Sequence, residues 1–353
     1  MSAQQQALTG CLLGTAVGDA LGLAGEGLPR RRLARVFSDP SQMHFLGHRG
    51  MVSDDTEHAC LVAQALIETA GEPTAFTRAL ARRLRFWLLG APAGIGWATL
   101  RAILKLSVGV SPERSGVWSA GNGPAMRSAL LGVGYGSDLE HLRALVRASS
   151  RLTHADPRAE AGALAVAVAA FLASGQTPAS ALPEAYLREM ERLLEDGELR
   201  TRIGSAVRSV RNAETTDAYA ASIGAGEHVS GYVNQTVPVV IHAWLSFPRN
   251  YRSAVSAMIR CGGDTDTTAA IVGAIVGAGV GKEGIPAEWL SALAEWPRTV
   301  DWMERLAGQL ADVQETDTPQ KPLGLPLLPM MGRNLLFTTV VLAHGFRRLL
   351  PPY

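Results

Sequence analysis

Cysteine is scarce in this chain of 353 residues. There are three, Cys11, Cys60 and Cys261, each beside apolar or small residues. An odd, small count provides no disulfide framework, so these are expected to be reduced core thiols in a cytoplasmic protein. An excess of one charge is also missing: 33 Lys and Arg against 32 Asp and Glu leave a net charge of +1. That balance argues against electrostatically driven binding to nucleic acid or a membrane. The densest basic cluster, Arg30-Arg31-Arg32 with Arg35, fits a solvated face better than a phosphate-reading patch. Residues 1–6 offer neither a basic region nor a long apolar stretch, so no secretory signal is evident. Alternating, strand-like runs are few, which leaves helical periodicity as the dominant pattern and predicts an all-α fold.

A hydrophobic share of 47% is ample for one large buried core. Residues 5–20 are expected to form a helix in which Gly10, Gly14 and Gly18 recur every four positions. Glycines at that spacing share one face and permit close approach of another helix. Further helices are expected over 56–70, after Pro73 (Phe76, Leu80, Leu84, Trp87 and Leu88 at helical spacing), and over 138–151, 157–174, 180–196, 199–212 and 233–244. Residues 90–96 form a Gly- and Pro-rich loop. A second every-four glycine face, Gly273, Gly277 and Gly281, would meet the first. The compact domain is expected over 1–312, with a polar, proline-rich linker over 313–332 and an amphipathic helix over 333–353. That last helix is too short and too often interrupted to span a membrane.

Two stretches carry the chemistry. In Gly262-Gly263-Asp264-Thr265-Asp266-Thr267, two carboxylates and interleaved hydroxyls stand where a loop becomes a helix. Ser53-Asp54-Asp55-Thr56 repeats this far upstream. Taken singly, each is an ordinary helix start, with Asp264 or Thr265 able to cap the downstream one. Meeting in space, they would pool four Asp side chains and several hydroxyls, enough oxygens for one or two octahedral Mg²⁺ or Mn²⁺ ions. The paired Cys and His of zinc sites are missing, and the EF-hand pattern fails for want of its glycine and distal Glu. Glu57 and His58, next along, either add a polar group near the site or face solvent at the helix start, the second being the favoured reading.

Other motifs have two readings each. Gly121-Asn122-Gly123 before Pro124 is a tight turn or a helix entrance whose N–H groups hold phosphate or ribose oxygens. His154, in Thr153-His154-Ala155-Asp156-Pro157, is a proton carrier or a loop residue bonded to Thr153 or Asp156. Tyr232 is a core tyrosine or a stacking ring. Gly132-Val133-Gly134-Tyr135-Gly136 lacks the strand and the glycine spacing of a dinucleotide loop.

Six segments together resemble the ADP-ribosylglycohydrolase family, in family order. They are Gly14-Thr15-Ala16-Val17-Gly18-Asp19-Ala20-Leu21-Gly22 with Glu26, then Ser53-Asp54-Asp55-Thr56, then Gly121-Asn122-Gly123-Pro124-Ala125-Met126-Arg127, then Thr153-His154-Ala155-Asp156-Pro157, then Gly231-Tyr232-Val233, and finally Gly262-Gly263-Asp264-Thr265-Asp266-Thr267. The resemblance implies an all-helical fold and a binuclear Mg²⁺ or Mn²⁺ centre. Its reaction would be hydrolysis of the bond between ADP-ribose and an acceptor, such as an ADP-ribosylated protein. It further implies Ser53, Asp54, Asp55, Asp264, Asp266 and Thr267 as metal ligands, and Glu26 or Asp55 as the carboxylate that takes the water's proton. Gly121, Asn122, Gly123, Met126, His154 and Tyr232 would contact substrate. Three departures stand out, one of them Glu57-His58 where relatives often carry an uncharged residue and Met. Ser53 replaces the usual threonine, and Gly94 stands where many relatives carry an acidic residue, which leaves the acceptor open among arginine, serine, nucleic acid and metabolites. A silent ADP-ribose binder and a metal-dependent hydrolase of another nucleotide remain as alternatives.

Overall fold

The computed structural model describes residues 1–37, 39–195 and 197–349. Its longer helices, in chain order, are α1 (Ala3–Gly22), α2 (Asp54–Thr69), α3 (Pro73–Leu89), α4 (Trp97–Ser107), α5 (Leu139–Arg151), α6 (Pro157–Ser174), α7 (Leu182–Leu193), α8 (Glu198–Arg211), α9 (Val233–Ser246), α10 (Tyr251–Ile259), α11 (Thr265–Val280), α12 (Val300–Thr316) and α13 (Leu327–Arg347). Side chains cap many of the starts. Ser2 accepts from Gln5 N–H, Glu72 from Thr74 and Ala75 just before Pro73, and Asp156 from Arg158 just before Pro157. Each bond satisfies an N–H that the helix itself leaves without a partner, and proline at the first position gives up nothing.

The centre of the fold is the antiparallel pair of α1 and α11. Without a Cβ at Gly10, Gly14, Gly18 and Gly22, the backbone of α1 lies directly on α11. A methyl group at these positions would run into the carbonyl oxygens of Gly277, Gly273, Ala269 and Thr265 in turn. The two expected glycine faces do meet. The descending order of partners brings the end of α1, with Asp19, beside the start of α11, with Asp264 to Thr267. The Tyr251 hydroxyl of α10 donates to the Gly14 carbonyl at 2.5 Å. Both α1 and α6 are long and apolar enough, by length and composition, to cross a membrane, and here both serve as core helices.

Sheet structure is confined to one short antiparallel pair among the described residues, β1 (Leu28–Pro29) with β2 (Gly262–Gly263), in the register Leu28 to Gly263 and Pro29 to Gly262. Gly262 and Gly263 take φ of +70° and +88°, a backbone that side chains with a Cβ resist. The pair ties the Glu26 loop to the turn before α11.

The C-terminal boundaries differ from expectation. Val313 stays buried on a continuing helix face, so α12 runs to Thr316, and α13 already begins at Leu327. Only residues 317–326 connect them, not 313–332. Pro329 does not delay α13, because in a first turn its missing N–H has no intrahelical partner to lose. Likewise α7 ends at Leu193, short of the expected 196. Residues 350–353 of the expected tail helix lie outside the described residues.

Candidate active site at two helix starts

Ser53 is the N-cap of α2: its Oγ accepts from Asp55 N–H at 3.2 Å and donates to Asp55 Oδ2 at 3.1 Å. The Ser53 peptide is itself held by a residue sequence reasoning passed over, Asp19. Fully buried, Asp19 accepts from Ser53 N–H at 3.0 and 2.9 Å, from Thr56 N–H at 3.2 Å and from the Thr56 hydroxyl at 2.5 Å. These bonds hold the first turn of α2, where Asp55 meets the start of α11.

At the α11 start, Asp264 occupies the N-cap position without capping. Its Oδ2 instead accepts from Asn122 Nδ2 at 2.6 Å, and the Asn122 amide also reaches Thr236 Oγ1 at 3.2 Å. Thr267 Oγ1 donates to Asp55 Oδ2 at 3.1 Å, joining the two helix starts directly. Two buried oxygens, Asp55 Oδ1 and Asp266 Oδ1, have no hydrogen-bond partner. Leaving a buried carboxylate oxygen unpaired costs about 1–3 kcal/mol or more, so these two atoms are fitted to accept a ligand such as a cation.

The electrostatics agree. Burial, then repulsion from Asp19 and other neighbouring carboxylates, holds Asp54 and Asp55 well above the ordinary carboxylate range. Burial and the charges of Glu26, Asp264 and Asp55 do the same to Asp266. Asp264 is raised by burial, against the Asn122 bond that lowers it. Asp19 is pushed up to about 6 by burial despite its four bonds. A crowd of oxygens that resists its own ionisation is the donor set a hard divalent cation would relieve. Among the described residues no three His, Cys, Asp or Glu side chains already form a ligand sphere; the hydroxyls of Ser53 and Thr267 stand among the carboxylates and take part in the cluster.

Glu26 sits on the exposed loop after the short 3₁₀ turn Leu23–Gly25. Its carboxyl is also raised, by desolvation and by Asp264 and Asp19, with Arg348 opposing. Gly121 bridges to Tyr232, and the Asn122 N–H donates to the Gly231 carbonyl at 2.9 Å, so the turn and the tyrosine belong to one wall. His154 is buried with its ring against Gly121 and Gly123, its Nδ1 2.9 Å from Thr153 Oγ1. Burial, then the Arg127 charge, lowers it to about 3. A pKa lowered that far favours a positioning or contact role over proton transfer. Met126 is buried below the turn. The hydroxyl of Tyr232 donates to Glu198 Oε2 at 2.5 Å, and Arg158 lies over its ring. The Tyr232 ring therefore already has a cation on one face.

Glu57 and His58 do not face solvent; both are buried. Glu57 pairs with Arg298 at 3.0 Å and accepts from the Trp87 indole. Burial works to raise its pKa, and the Arg298 and Arg333 charges outweigh it. His58 packs edge-on to Trp87 and lies 3.4 Å from Arg127. Arg127 is the second residue missed. Fully buried, it donates to Gly123 O at 3.2 Å, Ser149 O at 2.8 Å and Thr153 Oγ1 at 2.7 Å, tying the Gly121 turn to the His154 loop. Its motif position, four residues after Gly123, was the available signal.

An all-α scaffold here brings carboxylates and hydroxyls together where two helix starts meet. The family comparison gives the class: residues 1–320 match the ADP-ribosylglycohydrolase family, and this chain belongs to that family. It is similar to an uncharacterized protein of Archaeoglobus fulgidus, 31% identical over 86% of this chain and 95% of that one. It is also similar to the ADP-ribosyl-[dinitrogen reductase] glycohydrolase of Rhodospirillum rubrum, 29% identical over 85% of this chain and 96% of that one. A solved ADP-ribosylglycohydrolase-related protein complex superposes with a TM-score of 0.67 at 28% identity, covering 89% of this chain and 100% of that chain.

Proposed function

We propose that this protein hydrolyses the bond between the anomeric carbon of ADP-ribose and an acceptor, with two Mg²⁺ or Mn²⁺ ions held by Ser53, Asp54, Asp55, Asp264, Asp266 and Thr267. The observation that carries the reading is the pair of buried, partnerless oxygens, Asp55 Oδ1 and Asp266 Oδ1, in a cluster of raised carboxylates. When bound, divalent ions supply charge for sugar hydroxyls and lower the pKa of water.

The chain's own residues do the rest. Asn122 fixes Asp264, and Asp19 fixes Ser53 and Thr56, so the ligand oxygens are oriented before substrate arrives. The Gly121-Asn122-Gly123 turn and Tyr232 form the wall on which a nucleotide would lie. Glycosidic cleavage develops oxocarbenium character, which the nearby carboxylates favour electrostatically. Glu26, at the rim with a raised pKa, takes the proton of the attacking water. The buried thiols Cys11, Cys60 and Cys261 suit a reducing, cytoplasmic setting.

Incubation with arginine- and serine-linked ADP-ribose, with Mg²⁺, with Mn²⁺ and with chelator, tests this. We expect free ADP-ribose only with metal, and a loss of about 10²- to 10³-fold or more in Asp54→Ala and Asp266→Ala, with unchanged circular dichroism. Release of phosphate instead of ADP-ribose, or undiminished turnover in both variants, would overturn it.

A further inference from the structure

Helix α13 lies beyond residues 1–320 that match the family, yet it is attached to the segment that leads into the α2 start and to the turn that carries Glu26. At its first half, buried Arg333 donates through Nε to Glu295 Oε1 at 2.9 Å and through Nη2 to Glu295 Oε2 at 2.8 Å. Nη2 also donates to the carbonyl of Val52, the residue before Ser53, while Glu295 Oε2 accepts from Val52 N–H at 3.2 Å. The peptide that leads into the α2 start is therefore held on both sides. In the second half, His344 Nε2 lies 2.8 Å from the Phe45 carbonyl, with the two rings stacked 5.5 Å apart. At the end of the helix, Arg348 Nη1 donates to the Glu26 carbonyl at 2.9 Å and Nη2 to the Ala24 carbonyl at 2.8 Å.

Those last two carbonyls belong to the 3₁₀ segment itself, at Ala24, and to the turn between it and β1, at Glu26. The turn is otherwise fixed by Glu26 N–H to Leu23 O at 3.3 Å and by Gly27 N–H to Gly263 O at 2.7 Å. Arg348 adds the constraint on the outer side. A guanidinium fork spanning two carbonyls sets the orientation of the peptide between them, which a single point donor does not. With the Glu26 backbone held on both flanks, the Cα–Cβ direction from which its side chain departs is set, which narrows where its carboxylate can reach.

We propose that the C-terminal helix is a strap across the site, and that Arg348 is a positioning residue that holds the Glu26 loop in its working geometry. The proposal rests on the function proposed above only for the task it gives Glu26; the strap itself is tested without activity. In the full chain, Arg348→Ala is expected to speed amide hydrogen exchange over residues 24–30 about tenfold, with exchange in α1 and α11 unchanged. The same variant is expected to lose about tenfold in kcat for ADP-ribose release, with KM, metal affinity and melting temperature unchanged. Arg348→Lys, able to reach one carbonyl of the two, is expected to recover part of both losses. Unchanged exchange over 24–30 in Arg348→Ala would overturn the strap. Faster exchange with undiminished kcat would overturn the positioning role. A wild-type chain that releases no ADP-ribose would count against the function instead, and the exchange comparison would still decide the strap.

Discussion

Asp19 holds Ser53 and Thr56 through hydrogen bonds, and so sets where the α2 helix begins. Its pKa of about 6, raised by burial from 3.8, means that ionising it in the folded chain costs stability as pH rises between those values. A bound cation nearby offsets this, so metal affinity is expected to fall as pH drops through about 6. Asp19→Asn, which resembles the protonated form, is expected to weaken Mn²⁺ binding about 10- to 100-fold near pH 7 and to flatten that pH dependence. Calorimetry of Mn²⁺ binding by both proteins between pH 5 and 8 would check it, and an unchanged affinity would refute the role. The paired Asp residues were legible in the sequence because two carboxylates one or two positions apart, beside hydroxyls, recur at two helix starts. Asp19 was less legible, since one acid at the end of an apolar helix carries no spacing. Glu57 and His58 misled for a different reason. A helix start looks solvent-facing until a distant cation, here Arg298, is known to lie against it.

The glycine faces of α1 and α11 were readable at the scale of elements, because four-residue spacing maps to one side of a helix without any tertiary information. What the spacing could not give was direction. The antiparallel order, Gly10 on Gly277 and Gly22 on Thr265, is what delivers the acidic end of one helix to the acidic end of the other. Gly18→Ala is expected to destabilise by about 3 kcal/mol or more, since its methyl meets backbone that cannot move aside. Denaturant unfolding measures this, and a loss below about 1 kcal/mol would mean the helices separate easily. The linker before α13 was misread because polar residues on the outside of a continuing helix look, in sequence, like a loop.

Across the whole molecule, the site draws on Asp19 near one end of the chain, Ser53 to Asp55, the Gly121 turn, Tyr232 and Asp264 to Thr267. The two acidic helix starts meet only after α1 and α11 have closed on each other. The fold class followed from periodicity alone, whereas the choice of acceptor depends on surface residues around the site that carry no short motif. The central claim is that these two helix starts make one metal-dependent ADP-ribose site. Titration calorimetry of ADP-ribose into the full chain tests it most directly, with Mg²⁺, with Mn²⁺ and with chelator, alongside Asp266→Ala. Saturable binding in the presence of metal, lost with chelator and in the variant, is the predicted result. Equal binding in all conditions, or none in any, would contradict it.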